Sequence, residues 1–334
     1  MARGTVALGT TGMEITRVGL GTWAIGGGGW SYAWGPQDDD ESIATIHGAV
    51  DAGINWVDTA AEYGLGHSEE VVGRAVRALP EPDRPLVFTK CGLAWDSSDR
   101  MQPTRAVASA RSLRQECEDS LRRLGVERID LLQVHWPPSD GTPVEAYWPT
   151  MLELRQEGKI RAAGLSNHDV AALQAAEALG HVDTLQPPLS LLNREALSDV
   201  IPWCAANHVG VIVYSPMHSG LLSGRFDAER VASLPEDDWR RRSDDFTDRL
   251  ASNLEVVATL QALSPQLGTN PGELAVAWTL SRPGVSGAIV GARRPAQIKD
   301  WLNADEIQLT PESLRAIAAA VRSAGAGSGP LPEA

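Results

Sequence analysis

What this chain has little of narrows it first. Its three cysteines, Cys91, Cys117 and Cys204, are odd in number and far apart in 334 residues. Neither a disulfide framework nor a zinc-ligand spacing can be read from them, and they predict a reducing, cytoplasmic setting. Basic residues are in deficit: 29 Lys and Arg against 43 Asp and Glu leave a formal charge of −14. A nucleic-acid partner wants the opposite balance, although a local basic clamp for a small anion remains compatible with it. No apolar run approaches the ~18 residues of a membrane span, and Met1–Gly4 leads into a short strand rather than a signal-peptide core. The expectation is a chain with no membrane partner.

What is present is repetition. Short β-branched apolar runs alternate with longer helical patterns. After an opening hairpin at Val6–Leu8 and Met13–Ile15 come eight candidate strands: Val18–Leu20, Asn55–Asp58, Leu86–Lys90, Ile129–Val134, Ile160–Leu165, Thr184–Gln186, Gly210–Tyr214 and Ser286–Val290. Helices are expected between them, among them Thr104–Leu124, whose Leu113, Cys117, Leu121 and Leu124 fall at helical spacing. Eight strand–helix units predict an α/β fold with parallel strands, closed as a (β/α)8 TIM barrel with the chemistry on loops after the strands. A long connection follows Tyr214 and a last helix spans Pro311–Val321. We expect one barrel domain over 1–324 and a flexible tail over 325–334, where Gly, Ala and Ser dominate. No exposed apolar stripe demands a second copy, so oligomeric state stays open.

Three of those strands end in ionisable side chains. Asp58-Thr59-Ala60-Ala61-Glu62-Tyr63 follows one, Thr89-Lys90 ends another, and His135 follows Ile129–Val134. Buried charges are costly unless paired, so Asp58 and Lys90 could be an ordinary ion pair with Tyr63 in the core. Four such groups at strand ends favour acid–base work instead.

These pieces, with Val18-Gly19-Leu20-Gly21-Thr22-Trp23, Gly164-Leu165-Ser166-Asn167, Gln186, Tyr214-Ser215-Pro216 and Ile289-Val290-Gly291-Ala292-Arg293, resemble the aldo-keto reductase family over essentially the whole chain. The resemblance implies NADPH-dependent, reversible reduction of an aldehyde or ketone. Tyr63 would be the proton donor, Lys90 would lower its pKa, Asp58 would hold Lys90, and His135 would orient the carbonyl oxygen. Ser166, Asn167 and Gln186 suit a nicotinamide carboxamide, which needs both a donor and an acceptor, and Tyr214 offers a ring to stack on. The remaining cofactor contacts it implies are Gly21, Thr22, Trp23, Asp58, Ser215, Pro216, Leu221, Gly291, Arg293 and Gln297. Arg293 and Arg294 at a helix start suit a ribose 2′-phosphate, so NADP is expected over NAD. Many relatives carry Lys-Ser where this chain has Gly291-Ala292, and Trp301 stands where an Asn near the adenine is common.

Gly19-Leu20-Gly21-Thr22-Trp23-Ala24 superficially fits a dinucleotide fingerprint, but the glycines at 26–29 bar the helix that must follow it. Tryptophan is the abundant aromatic, eleven against three Phe, and barrel-mouth loops are where it lines pockets. Trp23, Trp30, Trp95 and Trp136 are therefore expected to wall a site for a flat or ringed carbonyl compound. No metal is expected. The alternatives are an alcohol dehydrogenase working mainly in the oxidative direction and a cofactor-sensing regulatory subunit of the same fold.

Overall fold

The computed structural model describes residues 3–235 and 238–331. Eight parallel strands close into a barrel: β1 Val18–Gly21, β2 Trp56–Asp58, β3 Leu86–Cys91, β4 Ile129–Val134, β5 Ile160–Ser166, β6 Thr184–Gln186, β7 Gly210–Val213 and β8 Gly287–Gly291. Every strand pairs with the next, and β8 closes on β1 with Ile289 opposite Gly19. A hairpin of Thr5–Ala7 and Glu14–Thr16 precedes them. Its Leu8, Met13 and Ile15 pack with Trp56, Phe88, Leu131, Ala162, Ile212 and Ile289 in one buried cluster. These alternate strand residues fill the barrel, because successive side chains on a strand face opposite ways. Gly19 makes room for the largest of them: a Cβ there would lie 2.2 Å from the Trp56 ring.

Outside the strands lie the helices, and their ends follow local chemistry. Ala110–Leu124 starts at Ser109, whose hydroxyl accepts from the Ser112 amide, and stops at left-handed Gly125. The sequence extended this helix back to Thr104. Instead Arg105–Ala106 pairs with Leu93–Ala94 as a small antiparallel ribbon, which carries Thr104 over the barrel mouth to the Glu62 carboxylate.

The long connection after β7 also departs from expectation, because it contains the helix Leu250–Leu263. That helix packs with Pro311–Ala324 and Pro271–Leu280 in a second core that joins Val256, Val257 and Leu260 to Trp278, Ile317 and Val321. Only one face, with Asn253, Val256, Val257 and Leu260, is buried, but the exposed face carries Ala251, Ala258 and Ala262, so the apolar–polar contrast that betrays a surface helix is weak.

The tail expected to be free from residue 325 is packed as far as Leu331. Ala326 is buried, and the Arg194 guanidinium, buried as well, donates to the carbonyls of Ala326, Gly329 and Pro330. Residues 332–334 lie outside the described residues. No helix among those described is long and apolar enough to cross a membrane.

Candidate active site

Asp58, Lys90 and Gln186 are the last or near-last residues of β2, β3 and β6, so the barrel brings them to one floor. Lys90 Nζ donates to Asp58 Oδ1 at 2.5 Å and Thr59 O at 2.9 Å, and lies 3.5 Å from the Tyr63 hydroxyl. Three partners match the three donors of an ammonium. Asp58 Oδ2 accepts from Gln186 Nε2 at 2.9 Å, and the same amide nitrogen reaches Gln133 Oε1 at 2.8 Å. Tyr63 is held where two segments of the chain cross tightly. Gly64 sits at φ +67°, and a Cβ on it would come within 2.2 Å of Gly26 O.

His135 joins the group through its backbone. Its amide donates to Cys91 O and its carbonyl accepts from Asn167 Nδ2. Its ring meets that of Tyr63 edge-on at 5.9 Å. Glu62, quoted in the sequence motif without a role, lies with Oε2 3.8 Å from His135 Nδ1.

The electrostatics follow from burial. Burial raises the Asp58 carboxyl and lowers the Lys90 ammonium, each partner pulling the other back. Burial, and then Lys90, hold the His135 imidazole well below its ordinary value, so it is neutral. Tyr63 differs from the sequence expectation. Burial, then Asp58 and Glu62, push its phenol well above 10, so the lowering expected from Lys90 is not the net result. The phenol is protonated at neutral pH and can donate.

Above this floor opens a cavity of about 390 Å³. Of the residues expected to hold the cofactor, Gly21, Thr22, Trp23 and Asp58 line its β1–β2 side, Tyr214, Ser215 and Pro216 its β7 side, and Gly291, Arg293 and Gln297 its β8 side. The others do not line it. Leu221 is fully buried in the second core. Ser166 donates to Gln186 O. Asn167 has both amide atoms engaged, Nδ2 on His135 O and Oδ1 on the Tyr214 hydroxyl at 2.8 Å, so here it is a strut. Gln186, also buried, has its amide nitrogen engaged on Asp58 and Gln133.

The aromatic wall differs as well. Trp23 stacks on Tyr63 at 6.2 Å and on Trp239 at 6.1 Å, and Trp34 meets both tryptophans edge-on. Trp30 is buried, its indole N–H donating to Gly27 O. Trp95 lines neither this cavity nor its neighbour, while Trp136, 45% exposed, lines the neighbouring cavity with Trp239. Trp239 carried no strand-end signal, because it comes from the middle of the long β7 connection. Arg225 and Arg240, from the same connection, also line the main cavity.

Arg293 is not free either. Its guanidinium donates to Gln37 Oε1, Trp34 O and Pro36 O. The donor set nonetheless fits a nicotinamide dinucleotide. Arginines at the cavity suit its phosphates, and Trp301, 1% exposed and lining the cavity, has a buried indole N–H with no partner. Buried polar groups without partners are rare, and a ligand acceptor would satisfy this one.

Comparison with known proteins bears on all of this. Residues 17–322 match the model of the aldo/keto reductase family. The chain is 38% identical to aldo-keto reductase YhdN of Bacillus subtilis over 291 residues, 86% of this chain and 85% of that one. It is 34% identical to the NADH-specific methylglyoxal reductase of Escherichia coli over 316 residues, 91% and 94% of the two chains. The solved structure of the glycerol dehydrogenase AKR11B4 from Gluconobacter oxydans superposes with a TM-score of 0.88 at 35% identity, covering 99% of each chain. With the closed barrel and the strand-end cluster, these matches make the chain a member of the aldo/keto reductase family.

Proposed function

We propose that the chain reduces an aldehyde or ketone reversibly to the alcohol, with Tyr63 as proton donor and NADPH as the preferred cofactor. The observation that carries this is the buried Asp58–Lys90 pair 3.5 Å beneath the Tyr63 hydroxyl, at the floor of the cavity. A bound nicotinamide supplies the hydride. The chain's own residues bind, orient and move the proton. Negative charge developing on the carbonyl oxygen is met by the Tyr63 O–H, and the phenolate that results is stabilised by Lys90 Nζ. Asp58, fixed by Gln186, keeps the ammonium in place. His135, neutral, orients the carbonyl oxygen by a hydrogen bond rather than by charge. Gly21, Thr22, Trp23, Tyr214, Ser215, Pro216, Gly291, Arg293 and Gln297 are the residues that would hold the dinucleotide, with Arg293 and Arg294 the cations for a 2′-phosphate.

The substrate lies against Trp23 and Trp34, with Trp239 stacked on Trp23 at the neighbouring cavity, which suits a small or flat carbonyl compound. Methylglyoxal is the first to test, given the relative that carries its name. Oxidation of an alcohol is the second reading, supported by 35% identity over the full length to a glycerol dehydrogenase. The test is NADPH consumption with a panel of aldehydes against NADP⁺ reduction with glycerol, in wild type and Tyr63→Phe. Turnover abolished by Tyr63→Phe supports the reading. Turnover that survives it, or nucleotide binding without turnover of any substrate, refutes it and leaves the cofactor-sensing alternative.

A further inference from the structure

The two arginines that follow β8 are both already engaged. Arg293 Nε donates to Gln37 Oε1 at 2.8 Å and its terminal nitrogens to the carbonyls of Trp34 and Pro36. Gln37 answers with Nε2, donating to Arg293 O at 2.9 Å and Ser42 Oγ at 3.1 Å. One side chain thus brackets the arginine from its backbone and its guanidinium. Arg294 Nε lies 3.4 Å from Glu41 Oε1. Between these partners is a cleft lined by Pro36, Gln37, Asp38 and Glu41 on one side and by Arg293, Arg294 and Gln297 on the other. The Gln297 amide oxygen is engaged too, accepting from the backbone N–H groups of Arg293 and Arg294.

A guanidinium has five N–H groups, and three here are bonded within the protein. A phosphate wants two parallel N–H donors and a positive surround. At this cleft it meets a guanidinium bonded to carbonyl oxygens and two carboxylates, Asp38 and Glu41, across the gap. A ribose 2′-hydroxyl is neutral and makes no such demand.

We propose that Gln37 and Glu41 are cofactor-selecting residues: by holding Arg293 and Arg294 they handicap a 2′-phosphate relative to a 2′-hydroxyl. NADPH competes with the loop that carries Trp34 for the Arg293 guanidinium, which has only two N–H groups left over, whereas NADH leaves that attachment intact. This rests on the reading above that a nicotinamide dinucleotide lies in the β8 cavity. Gln37 acts through Arg293 and is a positioning residue. The arginine pair sets an attraction for NADPH, and Gln37 and Glu41 set how much of it is realised.

The test is equilibrium titration of the full chain with NADPH and with NADH, followed by tryptophan fluorescence. Gln37→Leu removes the bracket and is expected to tighten NADPH roughly tenfold, the scale of one hydrogen bond to a charged group, with NADH unchanged within twofold. Gln37→Glu gives Arg293 a charged partner and is expected to weaken NADPH by a similar factor. Opposite signs from two substitutions at one position cannot come from misfolding. Glu41→Gln is expected to tighten NADPH by no more than about threefold, as an exposed pair would. An NADPH-to-NADH affinity ratio that stays within twofold in both Gln37 variants, while Arg293→Ala loses NADPH, overturns this inference alone. If wild type binds neither nucleotide, the functional reading itself falls.

Discussion

The floor of the site and its rim are built differently. On the floor, Asp58, Lys90, Gln133 and Gln186 belong to four barrel strands, are nearly inaccessible to solvent, and bond mainly to one another. On the rim, Trp34, Gln37, Trp239 and Arg293 come from loops, remain part-exposed, and are joined by an edge-on aromatic contact and by hydrogen bonds to carbonyl oxygens. A buried network is expensive to disturb, because any group left without its partner keeps its full desolvation penalty. A rim wired through backbone carbonyls can exchange partners, since water or a ligand can replace them. The floor is therefore suited to fixed chemistry and the rim to choice of ligand.

The largest expected effect breaks the floor. Tyr63→Phe should lower kcat by about 10²–10⁴, the usual worth of a positioned proton donor, while leaving the denaturant midpoint near wild type. A kcat within tenfold of wild type would remove Tyr63 as donor. Asp58→Asn strands the Lys90 ammonium and should cost roughly 3–5 kcal/mol of folding stability, read by urea unfolding. Arg293→Ala on the rim should cost less than about 1 kcal/mol by the same measurement, since a part-exposed charge retains access to water. Equal losses would erase the distinction between the two regions.

A smaller effect concerns pH. His168 is buried with its ring between Tyr147 Oη and Ser166 O, and burial pushes its pKa from 6.5 down to about 4. The unfolded chain takes up a proton near 6.5 that the folded chain refuses, so stability is present above that value and drains away as pH falls. Wild type should lose about 2 kcal/mol more than His168→Gln between pH 7 and 4.5. A parallel decline in both proteins would show that His168 titrates normally. Smallest of all, Trp239→Ala on the rim should raise substrate KM several-fold with kcat little changed, because it removes wall area and no reacting group. A fall in kcat alone would place Trp239 among the reacting groups instead.

Legibility in the sequence follows the same division. Strands β1 to β8 could be read within a residue or so at either end, because each is a short apolar run bounded by polar residues. The groups that the strand ends carry, Asp58, Lys90 and His135, come together as the barrel pattern predicts. Helix Leu250–Leu263 escaped, since alanines at 251, 258 and 262 on its exposed face blur the contrast with its buried one. Among the tryptophans, composition alone could not separate Trp30, which is buried, from Trp34, which lines the main cavity, and Trp239, which lines its neighbour.

The sequence by itself determined the barrel and the chemistry its strand ends can bring together, because eight short apolar runs alternating with helical stretches leave few alternatives. Only the tertiary structure decided how those groups are engaged. It buried Tyr63, next to Asp58 and Glu62, so that its phenol is raised, turned Asn167 into a strut, and set Gln37 against Arg293 across 256 positions of chain. The physical reason is common to all three. A residue's type states which bonds it can make, but which partner takes them depends on segments distant in sequence arriving within about 3 Å.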